Sequence, residues 1–340
     1  MTSSREDWTA PGCHPAAPGV HRIPLPMPQD GLRAINVYAV EGPAGLALID
    51  AGWRVPGNLG VLERGLAALG ARLRDIGEVY VTHVHRDHYT LAPELRRVVG
   101  SRVHLGAPER PGLELIAQRG DNQPAASFRE LRRAGAGGLV EDIESMVSTE
   151  PWCAGDWEAP DHWLEPGPLT VAGRPMEAVA VPGHTKGHLV FHDIDAGHLF
   201  TGDHVLPRIS PSIGFELGEW DLPLGRYLES LELILERPDA IMLPAHGASG
   251  GRVHDRVREL VEHHDVRLGA TLAAVRAGAV TGRAVTARLK WTRRERDFET
   301  LDAFNQMIAV CETMAHLDLL VERGLVSSSP RDGVDRFDAG

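Results

Sequence analysis

At 340 residues and 43% hydrophobic content, the chain is long enough for one large domain plus a small one, and too apolar to be disordered. Its formal charge of −12 argues against general attraction to a phosphate backbone. Cys13, Cys153 and Cys311 are too few and too scattered for a disulfide framework, which points to a reducing compartment and a cytoplasmic protein.

In chain order, residues 1–19 read as a Pro-, Gly- and Ala-rich tail. It has neither the basic start nor the apolar stretch of a secretion signal, and no run in the chain approaches the length of a membrane span. Leu46-Ala47-Leu48-Ile49 reads as a strand ending in Asp50, and Val79-Tyr80-Val81-Thr82 as a strand running into His83-Val84-His85-Arg86-Asp87-His88. His83 and His85, two apart where extension relaxes into a loop, can turn toward one metal ion; Asp87 and His88 lie one step on and can reach a second. Imidazole and carboxylate ligands without cysteine suit zinc first, then manganese or iron.

Residues 111–163 form an insert that the metal loops do not need. Short helices are expected over 113–119, 128–133 and 139–147, separated by Gly and Pro, with Trp152, Trp157 and Trp163 following. Such a segment is either the wall or lid of a substrate pocket, or an element packed on the core or on a homodimer face.

Three more apolar runs then end in a turn residue and a potential ligand. Ala178-Val179-Ala180-Val181 leads to Pro182-Gly183-His184, Leu199-Phe200-Thr201 to Gly202-Asp203, and Ala240-Ile241-Met242-Leu243 to Pro244-Ala245-His246-Gly247. Four strand ends are therefore expected to converge on one edge of a sheet, where loops held by a rigid scaffold carry chemistry.

The succession H-x-H-x-D-H, G-H-T-x-G-H, G-D and a late A-H-G, spread over roughly residues 20–250, resembles the metallo-β-lactamase superfamily. The resemblance implies an α/β fold, an αββα sandwich with a dinuclear metal site. His83, His85 and His184 would hold the first metal, Asp87, His88 and His246 the second, and Asp203 would bridge them. Flavodiiron relatives carry a glutamate where this chain has His85, so two zinc ions and hydrolysis are favoured over iron and redox work. Two divalent ions lower the pKa of a shared water enough to give hydroxide near neutral pH, with Asp87 as ligand and proton handler. His188 and Asp50 are expected either to orient ligands by hydrogen bonds or to serve turn chemistry. The lone histidines His104, His162 and His316 are expected to be exposed or satisfied in the core.

Gly247-Ala248-Ser249-Gly250-Gly251 also satisfies G-x-S-x-G, but Ser249 lies six residues past Leu243 with Pro244 and His246 between, too far for a serine on a sharp turn directly off the strand. Lys186 and Arg208, close to His184 and Asp203, read as solvated loop charges or as partners for a small anionic substrate.

Residues 251–340 carry 14 Lys plus Arg against 14 Asp plus Glu, so the whole negative charge sits in residues 1–250. A long helix is expected over 253–275, interrupted mainly at Gly269, then a turn over 276–282, a short helix over 285–291 and a stronger one over 301–322 closed by Gly324. With a hairpin-like stretch over 326–337, this segment resembles the winged-helix appendage of one metallo-β-lactamase branch, which includes an endoribonuclease. Arg283, Arg288, Lys290, Arg293, Arg294 and Arg296 form a basic cluster, but Asp297, Glu299 and Asp302 follow at once and no aromatic stacking platform is present. Nucleic acid is therefore not the favoured partner. The expected activity is metal-dependent hydrolysis of a small-molecule ester, thioester or lactone; the alternatives are a metal-dependent endoribonuclease and, below it, a non-catalytic binding module.

Overall fold

A computed structural model describes residues 7–28, 31–147, 152–215 and 220–340. Residues 1–6 of the expected tail and 148–151 of the insert lie outside the described residues. Seven strands pair in chain order in the first sheet: β1 (His14–Ala17), β2 (Val20–Pro26), β3 (Ala34–Gly42), β4 (Gly45–Ile49), β5 (Ile76–Tyr80), β6 (Arg102–Gly106) and β7 (His162–Leu164). β1 draws the end of the expected tail into this sheet, because the turn at Gly19 lets it fold back on β2. β1 to β4 are antiparallel and β4 to β7 parallel. The second sheet has the order β12-β11-β10-β9-β8, with β8 (Gly167–Val171), β9 (Arg174–Ala180), β10 (Leu189–Asp193), β11 (His198–Gly202) and β12 (Ile241–Pro244).

Period-two alternation builds the layers. Along β3, Ile35, Val37 and Ala39 face one apolar cluster while Tyr38 and Val40 face another. The second cluster lies between the sheets, where Tyr38, Ile49 and Tyr80 meet Phe191, Phe200 and Leu243. The outer face of the first sheet is covered by α1 (Asn58–Ala67) and, after the single turn α2 (Arg86–Tyr89), by α3 (Leu91–Val99), which bury Leu62, Leu66 and Leu95. The outer face of the second sheet, through Val179, Val190, Leu199 and Met242, joins the large cluster that holds the remaining helices. Two sheets with helices on both outer faces make the expected αββα sandwich.

The insert supplies α4 (Arg110–Arg119), α5 (Ala125–Arg133) and α6 (Gly138–Val147), each starting one to three residues before the expected bounds. Trp157 is buried in the core of the first sheet, with Trp152 and Trp163 packed against it. The tryptophans therefore serve packing, while Phe128, Leu131, Val140 and Ile143 of α5 and α6 join the second-sheet cluster.

After α7 (Pro223–Glu236) come α8 (Val253–Arg276), α9 (Gly282–Thr286) and α10 (Ala303–Glu322). α8 runs unbroken through Gly269, because Leu268 and Thr271 on either side are buried and hold the turn. The short helix expected over 285–291 ends at Thr286, and Lys290–Trp291 instead forms β13, paired with β14 (Arg296–Asp297). Trp291 is buried there, its indole N–H donating to the Thr286 carbonyl. A terminal hairpin of β15 (Ser327–Arg331) and β16 (Val334–Asp338) is present as expected. Val257, Leu260, Val310 and Leu317 share one apolar cluster with Val179 and Leu231, so the C-terminal helices pack on the second sheet's core. Among the described residues, no helix is long and apolar enough to cross a membrane.

Candidate metal centre

The four ligand-bearing strand ends do not lie on one sheet edge. β5 belongs to the first sheet and β9, β11 and β12 to the second. Both sheets place the carboxyl ends of parallel strands at the same end of the sandwich: β4 and β5 in one, β11 and β12 in the other. Backbone bonds from Leu189 N to the Thr82 carbonyl (2.8 Å) and from Asn36 N to the Ala245 carbonyl (2.7 Å) stitch the sheets together there.

After β5 the chain turns through His83 and His85, and α2 then winds Asp87 and His88 inward. Asp50, just past β4, adopts φ 58°, a left-handed conformation uncommon for a residue other than glycine. Its carboxylate accepts from Thr82 N and Thr82 Oγ1, both at 2.9 Å, and lies 3.1 Å from His88 Nδ1. Asp50 thus fixes the His88 ring and leaves Nε2 facing the centre. Asp50→Asn is expected to weaken metal binding by about 10–100-fold, the usual cost of losing such a partner; chelator competition measures it, and unchanged affinity would show that Asp50 serves the turn alone.

The other rings are tethered in the same way. His184 Nδ1 donates to the Ser212 carbonyl and His246 Nδ1 to the Ala34 carbonyl, both at 2.8 Å. His188 Nε2 accepts from Asp203 N at 3.1 Å, and its ring stacks on that of His83. Gly202, at φ 51°, sits so close to His188 and Thr82 Oγ1 that a Cβ would approach them within 2.7 and 2.8 Å. All seven candidate residues come together. Three groups have ligand atoms within 4.8 Å of one another: His83 with His85 and His184, His83 with His88 and Asp203, and Asp87 with His88 and His246. One Asp203 oxygen lies 3.6 Å from His88 Nε2 and 3.4 Å from His246 Nε2, while the other is 3.5 Å from His184 Nε2. Asp203 therefore stands between the two triads.

Burial pushes the His83 imidazole well below its usual range, His85 to about 3 and His184 to about 4, so these rings are neutral and their lone pairs free to ligate. At His88 burial acts the same way, but Asp50, Asp87 and Asp203 outweigh it and raise the ring to about 10. Burial likewise opposes ionisation of Asp87, yet His88 and His246 hold it below the usual carboxylate range. One side of the centre thus offers neutral donors and the other an excess of carboxylate that calls for positive charge.

Several supporting residues carried no signal in the sequence. Asn36 Nδ2 donates to the Pro244 (2.9 Å) and Gly247 (2.8 Å) carbonyls, bracketing His246. Tyr38 also donates to Pro244 and lies 3.1 Å from Ser249 Oγ. Ser249 is thus part of the strut behind His246, and Ser249→Ala is expected to keep kcat/KM within about threefold of the parent, a loss below 1 kcal/mol; a near-complete loss in the same assay would revive the serine as nucleophile. Glu109, buried and raised to about 7 by that burial, bonds to Thr185 and to the backbone N–H groups of Val84 and Gly187, tying two ligand loops together. Lys186 acts on this carboxylate, and Arg208 is exposed.

Most of the basic cluster is used internally. Arg283 pairs with Glu299 (3.1 Å), Lys290 pairs with Asp297, Arg288 donates to the Ala274 and Ala277 carbonyls at the end of α8, and Arg296 to that of Thr300. Of the lone histidines, His104 is buried against Tyr80, His162 is exposed, and His316 is buried 3.3 Å from His264.

Comparison with known proteins gives a consistent picture. The family model described as the Metallo-beta-lactamase superfamily matches residues 30–246. The Lactamase-like protein nscB of Neosartorya fischeri is 34% identical over 247 residues, which cover 72% of this chain and 57% of that protein. The Lactamase-like protein aptB of Emericella nidulans is 25% identical over 251 residues, 74% of this chain and 63% of the relative. The chain thus spans less than two thirds of the length of these curated relatives. Among solved structures, a metallo-beta-lactamase family protein from Thermus thermophilus superimposes with a TM-score of 0.77 at 27% identity, covering 95% of this chain and 99% of its own. A beta-lactamase domain protein from Burkholderia ambifaria gives 0.78 at 26% identity, with 99% and 96% covered. The structural likeness therefore extends past residue 246 into the C-terminal helices.

Proposed function

The chain belongs to the metallo-β-lactamase superfamily, and on that premise we propose that it is a dinuclear zinc hydrolase acting on a small-molecule ester, thioester or lactone. One observation carries the metal reading. His85 Nε2, His88 Nε2, His184 Nε2, His246 Nε2 and Asp203 Oδ1 are all buried and have no hydrogen-bond partner among the described residues. Leaving one such atom unsatisfied costs about 1–3 kcal/mol; five around one space fit a divalent ion far better than an apolar core.

His83, His85 and His184 would hold one ion, and Asp87, His88 and His246 the other, with Asp203 shared. When bound, such ions lower the pKa of a water and polarise the substrate's carbonyl. Zinc suits the nitrogen-rich donor set, with manganese or iron as substitutes. The protein's own part is positional. Backbone carbonyls at Ser212 and Ala34 fix the tautomers of His184 and His246, and Asp50 fixes His88. Asp87, half ringed by His88 and His246, is placed to hold a proton released on attack and to pass it to the leaving group.

We read residues 251–340 as a winged-helix-like appendage used for packing, because its helices share the second sheet's core and its basic residues are largely paired internally. A cytoplasmic location fits three unpaired cysteines. An assay of acyl thioesters, esters, lactones and single-stranded RNA, with and without chelator, tests the reading. Chelator-sensitive hydrolysis of an acyl substrate is expected; RNA cleavage that falls steeply with salt would replace it with the endoribonuclease.

A further inference from the structure

Glu109 closes the short turn Ala107–Glu109 that follows β6, stands immediately before α4 and is buried. Its carboxylate gathers donors from two metal loops at once. The Val84 N–H, between His83 and His85, donates to it, and so do the Thr185 hydroxyl and the Gly187 N–H of the loop that begins at His184. The contact leaves no room for a side chain. A Cβ on Gly187 would stand 2.6 Å from the Glu109 backbone nitrogen, and one on Gly106 would stand 2.2 Å from the Gly187 carbonyl oxygen. Glu109 thus fixes the His83–His85 loop and the His184 loop relative to each other through a single buried group.

The two triads depend on such support to different degrees. His83, His85 and His184 are three imidazoles with no carboxylate of their own, so the affinity of that position rests on how well the rings are placed. The other triad includes Asp87, whose charge attracts a cation as well. Its rings also have other holders, Asp50 for His88 and the Ala34 carbonyl for His246. Among the described residues, the donors to Glu109 come from the loops of the first triad alone.

We infer that Glu109 is a positioning residue for the first metal position, so that without its carboxylate the chain holds one ion firmly and the other weakly. That role rests on the dinuclear reading above. Cobalt(II), whose absorption spectrum follows ligand geometry, is titrated into metal-stripped protein while bound metal is measured against a competing chelator. The parent is expected to take up two equivalents. Glu109→Gln keeps the size of the side chain but turns an amide NH2 toward the three donors; one of its two equivalents should bind about 10–100-fold more weakly, and the spectrum of that position should change. Removing a ligand from each triad tells the positions apart. In a His246→Ala background, where only the first triad is complete, Glu109→Gln should weaken the remaining ion by the same factor; in a His184→Ala background it should change affinity by less than about threefold. Thr185→Val, which removes one donor and leaves the carboxylate, covers the case in which the glutamine variant misfolds: it should weaken the first position several-fold, and Thr185→Ser should restore it. Equal weakening of both positions, weakening of neither, or an effect confined to the His184→Ala background would overturn the assignment of Glu109 and leave the dinuclear centre standing. A parent that binds fewer than two ions would remove the dinuclear reading and the role of Glu109 together.

Discussion

Asp203→Asn is expected to lower kcat/KM on any acyl substrate by on the order of a thousandfold, about 4 kcal/mol of transition-state stabilisation. Asp203 faces both triads, one oxygen toward His88 and His246 and the other toward His184. An amide in its place keeps the shape but loses the charge that would offset the two proposed cations. Metal analysis of the purified variant should show less than the parent's content, with the αββα fold intact by circular dichroism. Parent-level metal and activity in this variant would remove Asp203 from the centre.

Phe200→Ala is expected to destabilise the protein by about 3–5 kcal/mol, the range for truncating a fully buried aromatic. Phe200 is 1% exposed between the sheets and meets Tyr38 edge to face with ring centroids 5.3 Å apart. Tyr38 in turn holds the Pro244 carbonyl two residues before His246. The cavity should therefore loosen the His246 loop as well as the core, and urea unfolding followed with metal retention reads both effects. A loss below about 1 kcal/mol would mean that the sheets repack around the gap.

The centre was legible because its residues cluster at strand ends. Runs such as Val79-Tyr80-Val81 and Leu199-Phe200 show where strands stop, and His83 and Asp203 follow within a few positions. Which sheet each strand joins was not legible, since short apolar runs carry no record of their partners. The single-edge expectation failed for that reason, and β5 and β11 proved to belong to different sheets. The supports of the ligands were hidden in a different way. Ser212 and Ala34 act through backbone carbonyls, which any residue provides, and Asn36 and Glu109 act across long sequence separations. Asp50 and His188 were visible because each sits next to a turn beside the ligands.

The tryptophans of the insert show the limit of composition. Their density left a pocket wall and packing on the core equally open, and Trp157, 7% exposed in the first sheet's core, follows the packing reading. Helical spacing located α10 well, but the segment after α9 became a two-residue strand because Trp291 needed both burial and a partner for its indole N–H.

His83, His85, Asp87, His88, His184, Asp203 and His246 are expected to hold two ions that activity requires. The most direct measurement strips the protein with chelator and restores Zn2+ stepwise while following both bound metal and hydrolysis of an acyl thioester. Activity that is absent from the stripped protein and returns in full as two equivalents bind is the predicted result. Undiminished hydrolysis by protein shown to contain no metal would contradict it.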